Sequence, residues 1–169
     1  MKTDKTGISA TSAAKTLSIY RQTDLENAQA DYIVPVPMHR LRRLDRGVNS
    51  PDLLAEELSR QLKIPVARYF VRRIRPTDLQ YTLSPKARGE NVSGAFALRP
   101  PPLLSSFLPS VVRSPSSALA GKNILLIDDI LTTGSTCNEI TKVLLAAGVR
   151  NVTVAVLARA AGGYQRSDV

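Results

Sequence analysis

The chain has 169 residues, of which 43% are hydrophobic, and this is enough to bury one domain-sized core. No apolar run approaches the about 20 residues that cross a bilayer. No apolar segment follows the lysines near the start, so we expect neither a membrane protein nor a secretory signal. The single cysteine, Cys137, excludes an internal disulfide and a Cys-rich zinc site, and we expect a cytoplasmic protein. The net charge of +9 favours phosphate-rich ligands or nucleic acid as partners.

The first part of the chain predicts a flexible segment followed by one domain. Residues 1–30 are rich in Thr, Ser, Ala, Asp and Lys, which is typical of a flexible N-terminal segment, and residues 31–169 hold the domain. A short apolar run at 32–37 ends in prolines and predicts a strand. Several arginines follow, and their planar guanidinium groups suit contacts with phosphate oxygens. These arginines are Arg40, Arg42, Arg43 and Arg46.

A helix and a strand are predicted next. Ser50 and Pro51 are typical of a helix start, and leucines at helical spacing continue to residue 62. Residues 66–74 are rich in β-branched and aromatic side chains and predict a strand.

Two irregular segments are predicted in the middle of the chain. The first is a polar loop at 75–94 that contains Arg88 and Asn91, and a loop of this length inside a compact domain is often functional. A short strand at 95–98 separates it from residues 99–120. This second segment is rich in proline and serine and predicts an insertion with extended geometry.

A buried strand, two carboxylates and a hydroxyl-rich turn follow one another at residues 124–136. The four aliphatic residues 124–127 predict a strand buried on both faces, and Asp128 and Asp129 follow where this strand ends. The next residues open a helix that continues to about residue 147, so backbone N–H groups and the helix dipole favour a phosphate there. The carboxylates suit sugar hydroxyls or a divalent cation held partly through water. The residues of the phosphate-binding turn are Thr132, Thr133, Gly134, Ser135 and Thr136.

A last buried strand is predicted at residues 152–157. Strands therefore alternate with helices, and this order predicts an α/β fold with a mostly parallel central sheet flanked by helices. A phosphate with a ribose attached fits the turn better than a triphosphate, because the Gly-Lys pair of a Walker A loop is absent.

Residues 124–136 resemble, at every position, the phosphoribosyl-pyrophosphate (PRPP) signature of type I phosphoribosyltransferases. Further blocks resemble one subgroup, the competence protein F (ComF) family: Val-Pro-Val-Pro-Met-His at 34–39, Arg-Gly-Val-Asn at 46–49 and Gly-Ala-Phe at 94–96. The chain departs from that family at Val48, where an aromatic residue is usual. We also expect it to lack the family's N-terminal zinc-binding segment, because the cysteines of that segment have no counterpart.

The resemblance implies transfer of a 5-phosphoribosyl group from PRPP, with Mg²⁺ as the cofactor. It implies that the hydroxyl-rich turn holds the 5′-phosphate. Asp128 and Asp129 form the implied catalytic pair and hold the ribose hydroxyls, directly or through metal-bound water. The four arginines after the first strand become candidates for binding the pyrophosphate. Arg88 and Asn91 become candidates for a mobile loop that closes over the site.

Three functions are left open by the sequence. The first is an active phosphoribosyltransferase, with a nucleobase or another nucleophile as the unidentified acceptor. The second is a non-catalytic accessory or regulator that binds PRPP or a nucleotide, with DNA-uptake proteins as partners in competence. The third is a basic accessory that binds single-stranded nucleic acid, against which an aromatic content of only 5% counts. We also expect a homo-oligomer.

Overall fold

The computed structural model describes residues 12, 21, 23–37, 50–76, 85–99 and 118–159. Its elements are β1 (Tyr32–Pro35), α1 (Ser50–Leu62), β2 (Val71–Arg73), α2 (Pro85–Val92), β3 (Phe96–Leu98), β4 (Asn123–Leu131), α3 (Ser135–Ala146) and β5 (Asn151–Arg159). Much of the predicted flexible segment and of the predicted insertion lies outside the described residues, and so do the four predicted phosphate-binding arginines, Arg40, Arg42, Arg43 and Arg46.

Three parallel strands form the central sheet in the order β1–β4–β5. β4 lies in the middle, with Ile124 paired to Tyr32 of β1 and Asn123 paired to Asn151 of β5. Val66 extends the sheet through an isolated parallel bridge to Ile33. The predicted α/β fold with a mostly parallel sheet is therefore confirmed.

The core lies on both faces of β4, because successive side chains of a strand point to opposite faces. On one face Leu125 packs in a cluster with Leu54 and Leu58 of α1. On the other face Leu126 packs in a cluster with Ile140 and Leu144 of α3. Both leucines of β4 are fully buried, as the aliphatic run predicted for a strand between two helical layers.

β5 was predicted as a buried strand; it is a strand, but most of its residues are not buried. Of its nine residues only Ala155 is buried, while Val154 and Leu157 are 40% and 38% exposed. β5 is the edge strand of the sheet among the described residues. An apolar run looks the same in sequence whether it lies in the middle of a sheet or at its edge, so burial was wrongly predicted here.

β2 and β3 form a separate antiparallel ribbon, in which Val71 pairs with Leu98. The predicted strand at 66–74 is therefore shorter than expected, since only its last part enters this ribbon. The residues predicted as one polar loop between the two strands contain α2. Pro85 suits the first position of that helix, and Val92 is buried in the core beside α3.

No helix among the described residues is long and apolar enough to cross a membrane.

Candidate functional site

β4 continues through the two aspartates instead of ending before them. Asp128 pairs with Val156 of β5, and the pairing extends to Leu131. The expectation that the strand ends at residue 127 was wrong, because β5 is long enough to keep pairing beyond it. Asp128 follows Leu126 on the face of β4 that α3 covers, because alternate residues of a strand share a face. The carboxylate of Asp129 is close enough to interact with that of Asp128. Of the two, only Asp128 lines the cleft at the start of α3.

The Asp128 carboxylate is partly buried and each of its oxygens accepts a hydrogen bond. The backbone N–H of Asp129 donates to Oδ1 at 2.9 Å, and the Cys137 thiol donates to Oδ2 at 3.5 Å. Burial raises the pKa of Asp128 from 3.8 to about 6, and the charge of Asp129 contributes to the rise. Burial likewise raises the pKa of Cys137 to about 12, so the thiol stays protonated and acts as a donor.

This raised pKa predicts how stability without ligand depends on pH. The folded state binds the proton of Asp128 more tightly than the unfolded state, so this group weakens folding progressively as pH rises from about 3.8 to about 6. The loss is complete above that window. The variant Asp128→Asn removes the buried charge, and we expect it to melt at a higher temperature than the parent at pH 8 but not at pH 4. Thermal melts in EDTA at both pH values test this, and an equal difference at the two values would contradict it.

The turn between β4 and α3 has the backbone geometry of an anion site. Gly134 is the N-cap of α3 with φ of 75°, a left-handed conformation that favours glycine. It supplies no side-chain acceptor to the N–H groups of the first helical turn. The hydroxyl oxygens of Thr133 and Ser135 lie 2.8 Å apart, so the two side chains are hydrogen-bonded to each other at the start of α3. The positive end of the helix dipole and these donors favour a phosphate.

The turn and Asp128 line one small, open cleft. Among its lining residues are four of the five turn residues predicted to bind phosphate, the exception being Thr133. Cys137 also lines the cleft, and its thiol contacts Asp128. A ligand with a phosphate at one end and hydroxyl groups at the other would therefore meet groups suited to both ends.

α2 lies beside this cleft. A Cβ built at Gly89 would be 3.9 Å from the Ser135 hydroxyl oxygen, which places this helix next to the hydroxyl-rich turn. The backbone of Arg88 and the partly buried Asn91 belong to the same helix. The predicted mobile-loop residues are thus brought close to the turn on a helix. Arg40, Arg42, Arg43 and Arg46 are not part of the described site.

A comparison with protein families identifies the chain. The model of the family described as "Phosphoribosyl transferase domain" matches residues 53–169, well over half of the chain. The chain belongs to this family. The predicted type I phosphoribosyltransferase fold is thereby confirmed.

Curated relatives support the resemblance to the competence protein F subgroup. Competence protein F of Haemophilus influenzae is 38% identical over 128 residues, which are 76% of this chain and 50% of that protein. DNA utilization protein YhgH of Escherichia coli K12 is 36% identical over 129 residues, covering 76% and 49%. The chain thus spans about half the length of the curated relatives it matches. A crystal structure of an adenine phosphoribosyltransferase matches with a TM-score of 0.49 and 14% identity, covering 88% of this chain and 68% of that one.

Sequence reasoning about this phosphoribosyl transferase domain missed three residues near the site. These are Gly89, Cys137 as a donor to Asp128, and Glu139, whose carboxylate accepts the Gly94 N–H. The sequence did offer a signal for Cys137. It is the third residue of α3, and the first turn of a helix that follows a strand directly lies near the end of that strand, where Asp128 is. Nothing in the sequence pattern indicated the contact of Glu139, since 45 residues separate it from Gly94.

Proposed function

We propose that this chain binds PRPP together with Mg²⁺ and transfers its phosphoribosyl group to an acceptor of the nucleobase type. The observation that carries the proposal is that Asp128 and the turn at Gly134 open into one cleft. Membership of the phosphoribosyl transferase domain family supports it. The 5′-phosphate is assigned to the turn, where the helix dipole and the hydroxyls of Thr133 and Ser135 favour an anion.

The ribose hydroxyls are assigned to the end of the cleft that Asp128 lines. Its carboxylate is ionised above pH about 6, and a carboxylate accepts hydrogen bonds from sugar hydroxyls. Asp129 is the next residue of the strand, and its Oδ1 accepts the N–H of Ile130 at 2.8 Å. Its second carboxylate oxygen is assigned to a metal-bound water.

The two aspartates fit Mg²⁺ only in part. The described residues contain no group of three or more His, Cys, Asp or Glu side chains that could hold a metal. Mg²⁺ in proteins is commonly bound through one or two carboxylates, with waters and phosphate oxygens of the ligand completing its shell. Two carboxylates would therefore be enough for a Mg²⁺ ion whose remaining ligands are waters and the diphosphate oxygens of PRPP. When bound, Mg²⁺ supplies positive charge to the pyrophosphate.

In the proposed transfer, the bond between C1 of the ribose and the pyrophosphate oxygen breaks, and pyrophosphate leaves with the electron pair. A bond from C1 to the acceptor forms, and the acceptor's proton goes to solvent. Positive charge develops on the ribose ring in between, and the negative charge of Asp128 nearby favours that charge. Arg40, Arg42, Arg43 and Arg46 stay candidates for holding the pyrophosphate. Arg88 and Asn91 stay candidates for covering the site.

Calorimetric titration with PRPP tests the proposal, with and without Mg²⁺, followed by an assay of pyrophosphate release against a panel of bases. We expect Mg²⁺-dependent binding and release with at least one base. No binding at millimolar PRPP would contradict the proposal. Binding without turnover would favour the alternative of a non-catalytic accessory, which the names of the relatives, competence and DNA utilization proteins, also suggest.

A second candidate function, binding of single-stranded nucleic acid, is favoured by the β2–β3 ribbon. Tyr69, two residues before the ribbon, is 70% exposed, and the Arg99 guanidinium lies 5.3 Å from its ring centroid. Arg72 is exposed on the same ribbon. An exposed aromatic ring among arginines suits base stacking beside a phosphate backbone. The low aromatic content of the chain therefore counts less strongly against nucleic-acid binding.

The variant Tyr69→Ala is expected to weaken binding of an oligothymidine about 5- to 100-fold, because the stacking platform is lost. Tyr69→Phe keeps the ring and serves as the matched control. Fluorescence anisotropy at several salt concentrations measures both affinity and the salt dependence expected from phosphate contacts. Equal binding by the two variants, or binding that does not change with salt, would exclude this candidate.

A further inference from the structure

α2 is a short helix that lies beside the phosphate-binding turn. It has eight residues, and so short a helix depends on contacts with the rest of the protein. Val92 supplies one such contact, because it is 1% exposed and packs in the cluster that contains Cys137 and Ile140 of α3. Gly89, one turn earlier, is the residue that faces the Ser135 hydroxyl.

A second contact joins the end of α2 to α3. The backbone N–H of Gly94 donates to Oε1 of Glu139 at 2.7 Å. Lys142 donates to the other carboxylate oxygen at 3.3 Å, which orients the carboxylate. The Gly94 N–H holds the pKa of Glu139 below its usual range, so the acceptor is charged at neutral pH. A hydrogen bond to a charged acceptor is stronger than one between neutral groups.

We propose that α2 is a wall of the 5′-phosphate site and that Glu139 is the positioning residue that holds it there. This inference rests on the proposed function, since it concerns the same cleft. Glu139 reaches back from the second turn of α3 to the chain just after α2, so the end of α2 is tied to the helix that begins at the turn.

Gly89 sets how close the wall comes to the turn. A Cβ there would stand at ordinary contact distance from the Ser135 hydroxyl, so a longer side chain would extend over the turn. Gly89 therefore leaves the space next to the Ser135 hydroxyl free of any side chain of its own. This makes Gly89 a residue that determines whether a phosphate has room to enter.

The test of Glu139 compares three variants with the parent protein. Glu139→Ala removes the acceptor of the Gly94 N–H, Glu139→Gln keeps an oxygen at that place, and Lys142→Ala removes only the other partner of the carboxylate. Ribose 5-phosphate is the probe for the proposed 5′-phosphate site at the turn, and pyrophosphate is the probe for the proposed pyrophosphate site. Calorimetry at a temperature well below the melting temperature measures both affinities.

We expect Glu139→Ala to bind ribose 5-phosphate about tenfold more weakly while its affinity for pyrophosphate is kept. Glu139→Gln is expected to stay within about threefold of the parent, as is Lys142→Ala. Amide hydrogen exchange at Gly94 is expected to be faster in the alanine variant only. General destabilisation would not separate the two ligands in this way.

Gly89→Leu is expected to lose binding of ribose 5-phosphate without a fall in melting temperature, because leucine is a better helix former than glycine. Glu90→Leu, at the next and exposed position of α2, is the matched control and is expected to bind. If Gly89→Leu bound ribose 5-phosphate as tightly as its control, the proposal that α2 is a wall of the phosphate site would be overturned. Unchanged affinity in Glu139→Ala, or equal weakening in the glutamine variant, would overturn the role of Glu139. If the parent protein bound neither ribose 5-phosphate nor pyrophosphate, the proposed function itself would be overturned instead.

Discussion

The double substitution Asp128→Asn/Asp129→Asn is expected to weaken Mg²⁺-dependent binding of PRPP by about a hundredfold or more. Each hydrogen bond to a charged group contributes about 1.5–3 kcal/mol, and the substitution removes the charge of Asp128 in the cleft and that of the neighbouring Asp129. Asparagine is close to aspartate in size, so the strand should keep its pairing. Calorimetric titration with PRPP in MgCl₂, repeated in EDTA, measures the change.

The single variants separate the roles of the two carboxylates. Asp128 lines the cleft, whereas Asp129 is not among the lining residues, so Asp128→Asn is expected to have the larger effect on affinity. Loss of binding is not explained by loss of folding if Asp128→Asn melts at a higher temperature than the parent at pH 8. Parent-like affinity in the double variant would show that the aspartates do not serve PRPP.

Much of the site was predictable because it is local in sequence. The strand, the two carboxylates, the glycine turn and the helix follow one another within residues 123–146, and each has its own pattern. Four aliphatic residues in a row are typical of a strand covered on both faces, and this is how β4 lies between α1 and α3. Local order of this kind can be read directly from the chain.

What the sequence did not reveal depends on contacts between distant residues. α2 was expected to be loop, because its sequence has a weak helical pattern and contains Gly89. It is held by Val92 in the core and by the Gly94–Glu139 hydrogen bond, which links residues 45 positions apart. The exposure of β5 also depends on which elements cover it, and no pattern within that strand reports this.

The largest effect on stability is expected from Leu144→Ala in α3. Leu144 is fully buried in the cluster that joins α3 to β4, and removal of its side chain leaves a cavity in that layer. Such substitutions cost about 2–5 kcal/mol. Small proteins are stable by only about 5–15 kcal/mol, so the variant should lose a large fraction of its stability. Urea denaturation monitored by circular dichroism measures the free energy of unfolding.

Leu145→Ala is the matched control, because it makes the same change one residue further along the same helix. Leu145 is 48% exposed, and its replacement is expected to change the free energy of unfolding by no more than about 0.5 kcal/mol. Equal losses in the two variants would contradict the placement of α3. Below its melting temperature Leu144→Ala should still bind PRPP, because the turn at Gly134 and Asp128 are unchanged. The buried face of α3 thus fixes the helix on the sheet, while its first turn carries the proposed phosphate site.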